Sequence, residues 1–316
     1  MAVSFALGFG AAWLVRAPAD DAAVNAPIAQ VSPTGGYAAP NPFPDIGGSA
    51  GPGAKAQTAG LPDTASVDEL WAKALLPPDR QEPGYDAEDR LRRMAQTNPV
   101  ALRKLVQRYE TDRSPQAREL LKSILSTVQT PEVVAFALRL ASSSNVTERR
   151  YGFELVESLA PDSAEARGLI KQALATEQSP EVLVQALQAL KAGATEPEEA
   201  SQIVAQLKTL TQHADATVRR HSIMQLGQWD KKGEGADVLA QALADRSSEA
   251  RQAAIFAIAQ NGVRTDPIKA ALLALMSNPQ ESKDIRGSAL QALERFSLTK
   301  EEYASVARAK AQLQGL

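Results

Sequence analysis

Six segments of this chain open on a helix-capping residue and then repeat one side-chain pattern, with starts 31, 34, 36, 32 and 35 residues apart. They begin at Ser114, Asn145, Ser179, Asp215, Ser247 and Ser282, types whose side chains accept a backbone N–H at a helix N-terminus. Three residues on stand Ala117, Glu148, Val182, Val218, Ala250 and Ile285, and the next position holds Arg118, Arg149, Leu183, Arg219, Arg251 and Arg286. Seven residues after the cap come Leu121, Gly152, Ala186, Ser222, Ala254 and Ala289; four further on come Leu125, Val156, Leu190, Leu226, Ile258 and Leu293. Apolar positions one turn apart and recurring in phase make one amphipathic helix per period. The mostly small residues in mid-helix let it approach its neighbours closely.

Shorter apolar stretches separate these segments, starting at Pro131, Ala164, Pro197, Gly235 and Asp266. Pro131, Pro197 and Pro267 sit in or beside first turns, where a missing N–H costs nothing. Two helices per period, each too small for a core of its own, must stack on the next pair. Composition agrees: hydrophobic content is 44 % with only 5 % aromatics, so Ala and Leu supply the apolar surface and strands are disfavoured.

The capped second helix, the x-[Val/Ile/Ala]-Arg-x-x-[small] pattern and the Ala/Leu stripe after it resemble the HEAT-repeat family and its bacterial HEAT-like members. The resemblance covers about residues 85–316, with 99–110 as a degenerate opening repeat. It implies an all-α fold, a right-handed α-solenoid. It also implies a ladder between repeats, in which an acidic turn residue meets an Arg of the second helix. Asp112 and Asp245 each precede an Arg by six residues; Glu177 has that offset from Leu183, which predicts a lost rung there. The ladder is the reading for the in-register arginines, since half-buried Arg needs a carboxylate.

Ahead of the repeats the chain divides into three. Residues 1–16 contain an uncharged apolar run from Ala2 to Val15, too short to span a bilayer by itself, and read as a signal peptide or membrane anchor. Residues 17–64 are rich in Ala, Pro and Gly and read as a disordered tether with a reach of about 40 Å. Residues 65–84 hold a short amphipathic helix, with Ser66 and Glu69 as a capping box. That helix either seals the first repeat or docks a partner. A bacterial inner-membrane protein with periplasmic repeats is the expectation; Arg16, the one flanking charge, favours the cytoplasmic alternative.

Little in the sequence speaks for chemistry. There is no Cys, there are two His, and the net charge is −3, so thiolate sites, a His-rich metal centre and a nucleic-acid-binding field are not expected. No cofactor or metal is expected, and His213 and His221 fall on different helices. Arg149-Arg150-Tyr151 and Arg219-Arg220-His221 occupy equivalent positions in two repeats. With the first Arg of each in the ladder, Arg150 and Arg220 remain to take partner carboxylates, aided by Tyr151, His221 and Trp229. The expected function is a non-enzymatic scaffold, membrane-tethered or exported, that binds a protein or peptide in the concave face. The alternative, which the resemblance to bacterial HEAT-like lyases implies, is a lyase-type enzyme or chaperone-like factor acting on a partner protein.

Overall fold

In a computed structural model the chain is described over residues 65–77, 80, 86–159, 163–193 and 195–314. The expected anchor and tether, residues 1–64, lie outside the described residues. Those described form fifteen α-helices and no strand. They alternate between two layers. The A layer contains α1 (Val67–Ala74), α3 (Pro99–Thr111), α5 (Pro131–Ala141), α7 (Ala164–Thr176), α9 (Pro197–Leu210), α11 (Ala236–Ala242), α13 (Asp266–Ser277) and α15 (Lys300–Gln314). The B layer contains α2 (Ala87–Thr97), α4 (Pro115–Leu125), α6 (Val146–Leu159), α8 (Pro180–Ala189), α10 (Ala216–Trp229), α12 (Ser248–Asn261) and α14 (Lys283–Leu293). Each A helix packs on the B helix that follows it or lies beside it, and neighbours within a layer stack in chain order, which is the succession of a solenoid.

The six repeated segments are α4, α6, α8, α10, α12 and α14. Ser114, Asn145, Asp215, Ser247 and Ser282 each accept a backbone N–H of the first turn. Ser179 does not; Glu177 instead takes the N–H groups of Gln178 and Ser179. The residues three, seven and eleven places after each cap are buried, apart from Glu148 in α6. Gly152 presses on the backbone of Leu140 and Ala141 at the end of α5, and a Cβ on Gly227 would sit 2.6 Å from the Cα of Ala257 on α12. Glycine there sets how closely the helices can pack.

At the N-terminal end α1 has the expected capping box between Ser66 and Glu69 and buries Val67, Leu70 and Trp71 against α2 and α3. Asp68 accepts a 2.6 Å hydrogen bond from Arg108, and the Arg108 guanidinium lies 5.1 Å from the Trp71 ring. Of the two readings of this helix, packing on the first repeat is the one observed.

The ladder exists, but its partners differ from those the spacing predicts. In five of the six repeats the residue six before the ladder position accepts the N–H two residues on: Asp112 from Ser114, Ser143 from Asn145, Glu177 from Ser179, His213 Nδ1 from Asp215, and Asp245 from Ser247. From its own repeat the Arg takes main-chain carbonyls and no carboxylate: Arg149 bonds the Ser143 and Ser144 oxygens, Arg219 those of His213 and Ala214, and Arg251 that of Asp245. Its remaining donors reach the turn of the next repeat. Arg149 pairs with Glu177 at 2.7 Å, Arg219 with Asp245 at 2.8 Å, and Arg251 with Glu281 at 2.8 Å. The Glu177 rung is therefore kept, and Asp215 serves as a helix cap. Rungs are missing where the next turn offers no acid: Arg118 faces the register of Ser143, and Leu183 that of His213.

Arg118 meets an aromatic ring where Arg149, Arg219 and Arg251 meet an acid. Its guanidinium lies 3.4 Å from the centre of the Tyr109 ring, which also stacks on Tyr151 at 5.1 Å and meets Phe136 edge-on at 5.2 Å. Leu121 stands here where the other repeats carry Gly, Ala or Ser, and in the B layer the backbones of α4 and α6 approach each other least. Large side chains hold this junction apart while bridging it.

The Arg219–Asp245 pair is two parallel hydrogen bonds between side chains only 5 % and 11 % exposed. Removing one partner strands a buried charge, which costs about 3–5 kcal/mol. Arg219→Leu is expected to lower the urea midpoint accordingly. Pairing it with Asp245→His, the combination this chain already uses at Leu183 and His213, is expected to recover roughly half of that loss.

Candidate functional site

The outward face of the B layer is built from the positions one, five and nine residues after the ladder position, which follow one another at helical spacing. On α10 these are Arg220, Met224 and Gln228; on α12, Gln252, Phe256 and Gln260; on α14, Gly287 and Gln291, with Arg295 just past its end. On α8 the first two are Val184 and Gln188. Phe256 is 52 % exposed, the one large apolar side chain of the described B helices' interiors so open, and Met224 lies half-buried one helix away. Gln252 donates to the Ser288 hydroxyl at 3.1 Å, and Arg295 to the Ala259 carbonyl at 2.9 Å. The carboxamides of Gln188, Gln228, Gln260 and Gln291 bond no other described residue. By contrast, Gln206 and Gln225 are tied to the main-chain carbonyls of Lys171 and Leu187.

Of the residues predicted to touch a partner, Arg150 and Arg220 lie half-buried at the position after the ladder. Arg150 donates to Glu154 at 2.5 Å, and Glu154 also takes Lys122 of α4 at 3.1 Å. With Glu181, Val184, Gln185, Asp215 and Thr217, Arg150 lines a groove across the starts of α8 and α10. Tyr151 and Trp229 are instead buried in the packing, 7 % and 6 % exposed; the wide α4–α6 junction takes the Tyr151 ring inside. Burial raises the Tyr151 hydroxyl far above the usual phenol range. The structure therefore does not bring the five together as one surface patch.

Half-buried His221 accepts from Arg220 through Nε2 at 2.9 Å, since a guanidinium can only donate. Burial, and after it the Arg220 charge, push this imidazole down from 6.5 to about 4. Hydrogen bonds from Arg219 hold the Asp245 carboxyl below its ordinary range, against the effect of burial. Among the described residues no three His, Asp or Glu side chains gather as a metal site, and no helix is long and apolar enough to cross a membrane. The arrangement offers contact chemistry: an apolar centre, neutral amides and a few flanking charges.

Residues 204–294 match the family model for HEAT repeats. The solved structure of YibA from Escherichia coli aligns over 74 % of this chain and 88 % of its own, at a TM-score of 0.51 and 18 % identity. Residues 204–294 are HEAT repeats, and the fold of the chain is HEAT-like. Two further similar structures are a designed armadillo repeat protein in complex with the peptide (KR)4, and an archaeal HEAT-like repeats protein from Thermococcus onnurineus NA1. The first covers 74 % of this chain and 100 % of its own, at TM-score 0.41 and 18 % identity. The second covers 72 % and 88 %, at 0.40 and 16 %. No curated protein matches in sequence. The similarity to solved structures is one of fold.

Sequence reasoning passed over Phe256 and Met224. The signal was available one turn past Arg150 and Arg220, in a column reading Ser123, Glu154, Gln188, Met224, Phe256 and Gln291, where two apolar residues interrupt polar ones.

The His221 shift predicts a pH dependence. The folded ring stays neutral while the unfolded one binds a proton below 6.5, so the contribution of this site is full above 6.5 and is lost as pH falls toward 4. His221→Asn is expected to flatten the decline of the urea midpoint over that window relative to the parent chain.

Proposed function

We propose that this HEAT-like chain is a non-enzymatic scaffold that holds a protein or peptide partner along the groove lined by its B helices. One observation carries the reading: Phe256, 52 % exposed on the outward face of α12, shares its register with half-buried Met224 on α10, and glutamines hold most neighbouring positions of that face. A rigid stack of helices presents such a surface without moving, so association orders little of the protein itself. Apolar centres flanked by polar and charged residues are how protein interfaces concentrate their affinity. Arg150 and Arg220 stand at the edge of this surface and supply charges for a partner's carboxylates.

The test compares the full chain with a variant carrying Arg150→Glu, Arg220→Glu and Phe256→Glu in cross-linked pull-downs read by mass spectrometry. At least one protein is expected to be recovered about tenfold less by the variant, with its cross-links to the parent chain falling on α8 to α14. Equal recovery of every protein by both sinks the proposal.

The same proposal includes the placement of the repeats. The apolar run Ala2 to Val15 and the Ala/Pro/Gly-rich segment after it support an N-terminal anchor and a tether that hold the repeats at the periplasmic side of a bacterial inner membrane. Protease added to intact spheroplasts is then expected to degrade the repeats; protection until lysis would assign them to the cytoplasmic side.

A further inference from the structure

We propose that the partner segment bound on this face is an extended, uncharged stretch of peptide, read through its backbone by the glutamines of α8 to α14 and anchored by one bulky apolar side chain against Phe256 and Met224. The inference rests on the reading of the B-layer face as the binding surface and adds what that surface recognises.

Charge is the first argument. The column five residues after the ladder position reads Gln188, Met224, Phe256 and Gln291 from α8 to α14, without a single ionisable group. A charged residue laid on this central column would lose hydration and meet no counter-charge there, since Arg220 and Arg295 stand at the flanking positions of the face, so the column itself complements a neutral stretch. The acidic residue of the same column, Glu154, lies on α6 and is already paired with Arg150 and Lys122.

Hydrogen bonding is the second. A carboxamide offers both a donor and an acceptor, the same pair that a peptide unit carries. Gln188, Gln228, Gln260 and Gln291 use neither on another described residue, and the Gln252 amide nitrogen is held by Ser288, which steadies its free carbonyl oxygen. A helical partner has no main-chain groups to give, because its own turns consume them. Unpaired backbone is presented by an extended segment.

Spacing is the third. Packed helices lie about 8–10 Å apart, and an extended chain advances about 3.3–3.6 Å per residue. Each B helix therefore meets roughly every third residue of a peptide running across the stack. The α8 to α14 stretch spans about ten such residues, with the anchor side chain falling at α10 and α12.

The probe is a random twelve-residue peptide phage library panned on the full chain, with the selected sequences synthesised and measured by fluorescence anisotropy. Enriched peptides are expected to lack charge over the middle residues and to share one Leu, Met, Phe or Trp. Phe256→Glu should weaken them about tenfold or more, with Phe256→Ser as a second, milder variant. Gln252→Ala with Gln260→Ala should weaken them about threefold to tenfold, as should N-methylation of peptide backbone amides next to the anchor. Peptides that need Phe256 but bind as amphipathic helices, or tolerate N-methylation and the glutamine changes, overturn this inference while leaving the binding face intact. Peptides indifferent to Phe256→Glu, or no selection at all, overturn both.

Discussion

Three junctions of the stack depend on an arginine that holds two repeats at once. Arg149, Arg219 and Arg251 bond the carbonyl of their own turn and a carboxylate of the next. A pair of helices of ten to fourteen residues cannot bury a core alone. Its stability comes from the neighbour, and the orientation of that neighbour is fixed where the guanidinium fork meets a carboxylate that also caps the following helix. Because Asp245 and Glu177 accept from Ser247 and Ser179 as well, the start of the next B helix and the ladder are set by the same side chain. The outward columns of the B layer, the proposed binding face, inherit their alignment from it.

Close helix contact and the ladder work together only where the mid-helix residue is small. Gly227 lets α10 and α12 touch at Ala257, and there the Arg219 pair is most enclosed. Leu121 prevents such contact between α4 and α6. Tyr109, Phe136 and Tyr151 fill the added space, and the Arg118 charge rests on a ring face in place of an acid. Cation–π contact contributes about 1–2 kcal/mol when desolvated, less than a buried pair costs to break, so this junction is tied by shape more than by charge.

The repeat was legible because it is a local signal: cap, small residue and aliphatic stripe lie within one helix, and their period survives in the sequence. The ladder partners were not, since Arg149 and Glu177 are 28 residues apart and the offset of six to the turn in the same repeat is an equally regular number. That offset marks a carbonyl contact, which any residue type can make. Tyr151 was read as surface because its column is mixed: Leu120 and Ala253 are buried in it, Gln185 and Ser288 are not, and the distance to the next helix decides. That distance is set by Leu121 on a different helix. Phe256 was hidden for the opposite reason, being an apolar residue among the apolar residues of α12, where only the three-dimensional stack separates inside from outside.

A chain of nearest-neighbour couplings yields at its weakest link. Between α4 and α6 the repeat has neither an acid for Arg118 nor a small residue to bring the backbones together. Tension applied along the stack, or thermal opening, is therefore relieved at that seam first. The first four helices then pivot or peel away as one block while the array from α5 onward, with its three arginine–carboxylate rungs, stays assembled.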